Sequence, residues 1–349
     1  MIWSPSGAGT EAFAGGDVAG AELVATGALE TRLRPRIARS AAELAERADT
    51  LLLALPAYGH RAVLDALAPH VEARHAVVFS SHASFGALYL SRLLAARGLE
   101  VPLVAWGTTL VTARRPAPPS DDGSPAPREV PVSVNTVRAR IDLATVPESR
   151  GAEGLERCRA VFGDRFAPRE GLLAIALSNL NPQNHMGIAL GNMTRMELGE
   201  RWSQGHHVTP NVGRLLEALD LERLAIAEAL GLEVRTIVEH FHLSFHVPEG
   251  SVSDMNRRMH EEGRGGTGPA TADSRYVTED VPYGLYPTER LGELVGRPAT
   301  LHRAGVDVFS AMYGRDFRRE NALLDALELE SIGIDGLRRL ARFGYTGVT

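Results

Sequence analysis

The sequence predicts an α/β protein in which a doubly wound parallel sheet is followed by an all-helical domain. Between positions 51 and 106, three short and almost uninterrupted apolar runs end at turn residues, and amphipathic segments separate them. Strands that are apolar on both faces are typical of a parallel sheet with helices on each side. After Pro147 patterns of helical period dominate. With 349 residues, the chain is long enough for two hydrophobic cores.

The predicted strands indicate where a ligand would bind. They occupy residues 51–55, 75–79 and 101–106, and amphipathic helices are predicted over residues 61–67 and 85–94. In doubly wound sheets, ligands bind at the carboxyl ends of the strands. We therefore expect Pro56, Ala57, Ser80 and Thr108, which follow the strands, to lie beside a ligand.

Two further regions have recognisable patterns. Residues 114–131 contain six prolines and are predicted to form an exposed loop between two strands. In the helical half, Asp220 and Gly231 are predicted to cap one helix. The next helix is predicted from apolar residues that share one face, namely Val234, Ile237, Val238, Phe241 and Phe245.

Composition excludes several functional classes. The chain has 37 basic and 43 acidic residues, a net charge of -6, and therefore no basic excess for nucleic acid. Cys158 is the only cysteine, so neither a disulfide nor a thiolate zinc site can form within one chain. No segment reaches the ~20 apolar residues of a membrane span, and no signal peptide is recognisable. These features favour a cytoplasmic protein with a small-molecule partner and no membrane.

A histidine and a carboxylate are candidates for acid–base chemistry. Asn181 and Pro182 predict the cap and first residue of a helix, so His185 would lie in the first turn, where the helix dipole disfavours the imidazolium. Asp280 lies in a turn rich in proline and glycine, where a rigid carboxylate can orient an imidazole. Arg275 offers a planar fork for a substrate carboxylate. Taken singly, each residue also has an ordinary structural interpretation.

Two other motifs favour structural interpretations. His240, His242 and His246 raise the hypothesis of a metal hydrolase, but on a helix His240 would lie more than about 100° from the other two. Leu243 also stands where a zincin motif requires glutamate. Residues 7–12 match the dinucleotide-binding glycine pattern, but no buried strand precedes them, so we interpret the match as coincidental.

Four motifs together resemble the NAD/NADP octopine/nopaline (opine) dehydrogenase family. They are SNLNPQNH at 178–185, VTPNVG at 208–213, ERLAIA at 222–227 and RYVTEDVPYGL at 275–285. The similarity extends from Trp3 to about Asp335. It implies a Rossmann-type dinucleotide-binding domain over residues 1–148 and a helical substrate and catalytic domain over residues 149–349.

The resemblance also implies an activity, namely NAD(P)H-dependent condensation of an amino acid or other amine with a 2-oxo acid through an imine. It makes His185 and Asp280 the catalytic pair. Expected substrate-binding residues are Arg275, Asn181, Asn184 and Thr209. Expected cofactor-binding residues are Ser4, Ser6, Pro56, Ala57, Ser80 and Thr108. Because Ser4 and Ser6 replace the acidic residue that would hold an NAD ribose, NADP is favoured over NAD. A homodimer is compatible with the resemblance.

The sequence departs from the family pattern at its N-terminal end. Family members have a strand, a glycine-rich turn and a helix before the strand that ends in a pair like Trp3-Ser4, so about thirty residues would be missing. The missing strand would lie at the centre of the sheet, and the turn would hold the pyrophosphate. The simplest explanation is a start codon placed too late. The alternative is a truncated binding protein or pseudoenzyme of the same family that holds no cofactor.

Overall fold

The computed structural model describes residues 1–7, 9–13, 20–81, 84–115 and 129–345. The strands are β1 (Glu22–Gly27), β2 (Thr31–Leu33), β3 (Thr50–Leu53), β4 (Ala76–Phe79), β5 (Leu103–Trp106), β6 (Val111–Arg114), β7 (Glu129–Val137), β8 (Ile141–Val146) and β9 (Phe166–Pro168). The helices are α1 (Ala41–Glu46), α2 (His60–Leu67), α3 (Gly86–Ala95), α4 (Gly151–Phe162), α5 (Gly171–Ser178), α6 (Asn181–Glu197), α7 (Gln204–His207), α8 (Pro210–Ala229), α9 (Ile237–Phe245), α10 (Val252–Glu261), α11 (Arg275–Thr278), α12 (Tyr286–Leu294), α13 (Thr300–Tyr313), α14 (Ala322–Leu327) and α15 (Leu329–Phe343).

The larger sheet has the strand order β3-β4-β5-β8-β9. Strands β3, β4 and β5 run parallel, β8 is antiparallel to β5, and β9 is parallel to β8. Residues 76–79 of β4 are completely buried, because α-helices cover both faces. The fold class predicted from the sequence, a largely parallel α/β sheet followed by helices, is confirmed.

The observed strands are slightly shorter than the predicted ones, for local reasons. Pro102 has no N–H to donate to a ladder, so β5 begins at Leu103. His75 belongs to the turn before β4, where its Nδ1 accepts the Glu72 N–H at 2.7 Å. Helices α2 and α3 agree with the predicted helices to within one residue.

A second, smaller sheet has the strand order β2-β1-β7-β6. In the sequence, β1 and β2 precede the strands of the larger sheet, whereas β6 and β7 lie between β5 and β8. Strand β7 is parallel to β1 and antiparallel to β6. Strands β6 and β7 flank the proline-rich segment, of which residues 116–128 lie outside the described residues. The predicted loop extends slightly too far, because Pro131 already belongs to β7.

The large sheet continues beyond residue 148, the predicted domain boundary. Strand β9 pairs with β8, and α4 packs against both strands. From α5 onward, the described chain forms only helices and turns. We therefore propose that the boundary lies near Pro168, since the sheet cannot be completed by residues 1–148 alone.

The predicted cap at Asp220 is wrong, and the reason is tertiary. Asp220 lies inside α8 and is 3% exposed. Its carboxylate accepts hydrogen bonds from Gln183 of α6 and Arg223 of α8, and from the backbone N–H of Ile237 at the start of α9. Asp220 therefore stabilises the N-terminus of the following helix. Gly231, with φ +72°, does end α8 as predicted.

The helices differ from membrane spans. Among the described residues, none combines the length and the apolar character that crossing a bilayer requires.

Candidate active site

His185 and Asp280 are in direct contact although 95 positions separate them in the sequence. The distance between His185 Nδ1 and Asp280 Oδ2 is 2.6 Å, and both side chains are largely buried. A carboxylate at this distance holds Nδ1 as the protonated nitrogen of a neutral ring, so Nε2 is left as the atom that accepts or donates a proton. The structure therefore brings together the two residues that the sequence analysis paired.

Tyr276 fixes the plane of the His185 ring. The two rings are stacked, with centroids 3.5 Å apart and planes at 9°. The Tyr276 hydroxyl donates a hydrogen bond of 2.6 Å to Oε1 of Gln204. Burial and the nearby Asp280 carboxylate raise the pKa of Tyr276 to about 12, so the phenol stays neutral. Tyr276 and Asp280 together leave the imidazole little freedom to rotate.

The helix that carries His185 begins slightly earlier than the sequence suggested. Asn181 is its first residue, and the Asn179 side chain accepts the Asn181 N–H at 3.1 Å. Asn179 therefore does the capping predicted for Asn181. His185 is the fifth residue of α6, one position beyond the first turn, where the effect of the helix dipole has weakened.

Glu279 connects the predicted cofactor loop to the catalytic pair. Its Oε1 accepts the Ala57 N–H at 3.1 Å, and its Oε2 lies 3.2 Å from the Arg275 guanidinium. Burial raises the pKa of Glu279, and Arg275 and the Ala57 N–H partly offset this. Arg275, predicted to hold a substrate carboxylate, is thus paired with Glu279, although its side chain remains 68% exposed.

A buried hydrogen-bond network anchors the segment after Asp280 to the sheet domain. This segment, Val281–Leu285, is a π-helical turn. Asn321 donates to the Pro282 carbonyl at 2.8 Å and to the Ser84 hydroxyl at 2.9 Å. Ser84 in turn donates to the Tyr283 carbonyl at 2.9 Å. Asn321 is fully buried, so these bonds are shielded from water and hold the loop of Asp280 against the sheet.

Gly284 allows the two segments of the catalytic pair to approach closely. A Cβ at this position would lie 2.2 Å from Cγ of Pro182, the second residue of the His185 helix. The absence of a side chain here therefore sets the spacing between α6 and the π-helical turn.

We expect Gly284→Ala to destabilise the fold by about 1–3 kcal/mol, because the new methyl group overlaps Pro182. If α6 shifts to relieve the overlap, kcat should fall by up to about 100-fold for a displacement near 1 Å. Thermal unfolding and steady-state kinetics measure the two effects. Gly151→Ala is the matched control, since its Cβ would meet nothing within 4 Å. Equal Tm values for the two variants would contradict this role of Gly284.

A cleft of about 390 Å³ separates the sheet from the helical half. On the sheet side it is lined by residues that follow strands, including Pro56, Ala57 and Ser80. On the helical side it is lined by Pro182 and Asp280. The cleft therefore lies where a doubly wound sheet binds ligands, with the Asp280 carboxylate in its wall.

The polar groups of the cleft suit the nicotinamide end of a dinucleotide. His60 lines the cleft, and its Nε2 lies 3.1 Å from the Leu55 carbonyl, so Nδ1 is a hydrogen-bond acceptor. Within the described ranges this buried Nδ1 has no partner. Burial lowers the pKa of His60, which keeps it neutral. Ser80 and Ser81 also line the cleft, and their hydroxyl groups can bind a carboxamide.

Several predicted binding residues lie outside this cleft. Ser4 and Ser6 lie 3.4 Å apart, oxygen to oxygen, in a turn that does not line the cleft. Thr209 precedes α8 as its N-cap and is exposed, away from the cleft. Thr108 lines a second cavity, and Asn181 lines both. The structure thus brings Thr108 and Asn181 to a cavity but not Ser4, Ser6 or Thr209, and the binding roles of all five residues stay predictions.

Asn184 directly precedes His185 in the sequence, is partly buried and does not line either cavity. Its Oδ1 has no hydrogen-bond partner among the described residues. An unpaired buried amide oxygen is costly, but neither cavity reaches this atom, so the substrate-binding role of Asn184 stays a prediction.

The three histidines near α9 do not converge. His242 Nδ1 lies 2.9 Å from the Val247 carbonyl, and His246 is the residue that ends the helix. Burial, Arg138 and Arg235 lower the pKa of His240 to about 4. In the described part of the chain, no group of three or more histidine, cysteine or acidic residues is arranged to hold a metal.

Comparison with known proteins identifies the family. The family model described as NAD/NADP octopine/nopaline dehydrogenase, alpha-helical domain, matches residues 168–313. The opine dehydrogenase of Arthrobacter sp. (strain 1C) is 29% identical over 295 residues, which cover 83% of this chain and 78% of that protein. The chain is therefore similar to the octopine/nopaline dehydrogenase family in its helical half, and to a curated opine dehydrogenase over most of its length. It is accordingly an NAD(P)-dependent oxidoreductase of the class that acts on CH–NH bonds.

Solved structures of opine dehydrogenases share the fold. Octopine dehydrogenase in complex with NADH and agmatine has a TM-score of 0.73 at 14% identity and covers 94% of this chain and 87% of its own. Yersinopine dehydrogenase with bound NADP+ has a TM-score of 0.63 at 18% identity and covers 88% and 86%. The family therefore shares both the sheet domain and the helical half seen here.

Tyr276 and Glu279 are residues of the site that sequence reasoning missed. Both lie in the motif at 275–285, on which the resemblance depends. Their positions close to Asp280 in the sequence were a usable signal. Only the tertiary structure shows that Tyr276 stacks on His185 and that Glu279 accepts the Ala57 N–H.

Proposed function

We propose that the chain catalyses the NAD(P)H-dependent reductive condensation of an amino acid or other amine with a 2-oxo acid. The amine and the oxo group form an imine with loss of water, and addition of a hydride and a proton yields a secondary amine. The observation that carries the proposal is the 2.6 Å contact between His185 and Asp280, whose carboxylate lines the cleft at the strand ends. The related octopine dehydrogenase structures, which contain NADH with agmatine or with pyruvate, support this substrate class.

We propose His185 as the acid–base residue. Its Nδ1 is held by Asp280, so proton exchange with the substrate takes place at Nε2. Asp280 stabilises the imidazolium when Nε2 carries a proton, and Tyr276 keeps the ring plane constant between the two states. The bound nicotinamide supplies the hydride. Pro56, Ala57 and Ser80 would hold its nicotinamide end at the sheet side of the cleft.

We propose that substrate polar groups meet Asn181 and Arg275. Asn181 lies at the junction of the two cavities, one helical turn before His185. Arg275 is exposed enough to exchange its contact with Glu279 for one with a substrate carboxylate. A buried Glu279 that lost this partner would be favoured in its neutral form, because burial already raises its pKa.

The experiment is an assay of amine and 2-oxo acid pairs with NADPH and with NADH. Both cofactors are needed, because Ser4 and Ser6, which favoured NADP, lie outside the cleft. We expect cofactor oxidation only when both substrates are present, with a product whose mass equals their sum minus one oxygen atom. Oxidation that needs the oxo acid alone would indicate a hydroxy-acid dehydrogenase instead. Absence of oxidation with every pair would favour a binding protein.

A further inference from the structure

A second cavity, of about 120 Å³, has an unusual concentration of positive charge. Four arginines line it and define what we call the arginine pocket, namely Arg138, Arg140, Arg169 and Arg235. They come from three separate stretches of the chain: the β7–β8 connection holds Arg138 and Arg140, Arg169 follows β9, and Arg235 precedes α9. The fold therefore assembles this pocket between the sheet and the helical half.

The charge of the arginine pocket is poorly compensated. Asp142 is the single acidic residue in its lining, against four guanidinium groups. In the described ranges, no carboxylate lies within ion-pair distance of any of the four arginines. His240 adds no charge near neutral pH, because burial and the adjacent arginines lower its pKa to about 4.

Some of these guanidinium groups are positioned by the backbone. Nε of Arg138 donates to the Thr109 carbonyl at 3.0 Å, and the side chain of Arg169 donates to the Glu233 carbonyl. Burial takes the charge of Arg138 partly out of water and lowers its pKa. A bound anion would offset that desolvation cost and would find donors already in place.

The arginine pocket adjoins the catalytic cleft. Asn179 and Asn181 line both cavities. Asn181 and His185 are four residues apart on α6, so they share one face of the helix at a rise of about 6 Å. A substrate that reacts beside His185 therefore needs only a few carbon–carbon bonds to reach the pocket.

We propose that the arginine pocket binds a second acid group of the substrate, a carboxylate remote from the carbon that is reduced. The inference rests on the proposed function and refines it, because it selects dicarboxylic partners over monocarboxylic ones. The remote carboxylate can belong to the 2-oxo acid or to the amino acid. The chemistry of recognition is the same in both cases, a carboxylate held by guanidinium groups.

Binding of substrate-like acids tests the proposal without turnover. Glutarate and butyrate are titrated into the full chain by calorimetry, with and without NADPH. We expect glutarate to bind about 10-fold or more tightly than butyrate, since it adds a charge-assisted contact. Arg235→Gln and Arg140→Gln should each weaken glutarate binding by about 10-fold. Both side chains are exposed, so the replacements should preserve the fold.

Arg303→Gln is the matched control, because Arg303 is an exposed arginine of α13 outside both cavities. It removes the same charge and should leave glutarate binding unchanged. Equal weakening by all three variants would indicate a general electrostatic effect and would overturn the proposal. So would equal affinities of the wild-type chain for glutarate and butyrate.

Kinetics then identify the substrate that carries the remote carboxylate. Pairs that combine 2-oxoglutarate or pyruvate with glutamate or alanine are compared by kcat/KM, and Arg235→Gln should reduce the advantage of the dicarboxylic member. A preference for pyruvate and alanine in an active enzyme would overturn the pocket assignment but not the activity. Glutarate binding without turnover of any pair would overturn the activity but not the pocket.

Discussion

Replacement of His185 by asparagine should reduce kcat by about 10²- to 10⁴-fold, the usual range for loss of a general acid–base residue. Asparagine keeps a polar group near Asp280, so the buried carboxylate is not left against an apolar side chain. It cannot exchange a proton at the position of Nε2. We therefore expect kcat to fall while the Kd for NADPH, measured by fluorescence titration, changes little.

His70→Asn is the control for this prediction, because His70 is exposed and lies outside both cavities. Its kinetics should match those of the wild type. Near-normal turnover by His185→Asn would remove His185 from the mechanism. Loss of NADPH binding together with kcat would instead show that the substitution disturbs the cleft.

Replacement of Asp280 by asparagine should produce a loss of similar size by a different route. The carboxylate is 8% exposed and accepts from Nδ1, which selects the neutral tautomer with Nε2 free. An amide is neutral and can present its NH₂ group to Nδ1, which would place the ring proton on Nε2 and leave the imidazolium unstabilised. In a comparable serine protease triad the aspartate-to-asparagine change lowers kcat by about 10⁴-fold.

The matched control for Asp280 is Asp273→Asn, an exposed carboxylate in the preceding turn. The pH profile distinguishes a positioning role from a purely structural one. Without the Asp280 charge, the imidazolium is less stable, so the acidic limb of the kcat profile should move to lower pH. An unchanged profile combined with a lower Tm would mean that Asp280 serves only stability.

The fold was predictable because its central strands are nearly continuous apolar runs. Strands β4 and β5 are buried on both faces, and β3 is equally apolar although Leu52 is 42% exposed, so the pattern is visible without any neighbour. Strand β9 was missed, because it is only three residues long and lies between helices. Asp220 was assigned to the wrong helix end for a related reason. Its partners Gln183 and Ile237 are distant in sequence, and helix caps are predicted from adjacent residues alone.

The candidate site could be predicted where its residues lie in short, recognisable sequence motifs. His185 and Asp280 each lie in a distinctive stretch, and the resemblance joined them before their contact was known. The ion pair between Arg275 and Glu279 and the hydrogen bond from Ala57 could not be read from those stretches, because they depend on how the two halves pack. The arginine pocket is an extreme case, since its four arginines are spread over residues 138–235.

The placement of His185 under Tyr276 has a stereochemical consequence. One face of the imidazole is covered by Tyr276 and its Nδ1 edge is occupied by Asp280, so a substrate can approach the ring only from the Nε2 edge or the opposite face. The sheet forms the opposite wall of the cleft. In the proposed reaction, a planar prochiral imine held between these walls would expose the same face to the nicotinamide in every turnover. The newly formed carbon centre should therefore have one configuration, and chiral chromatography of the product should yield a single diastereomer.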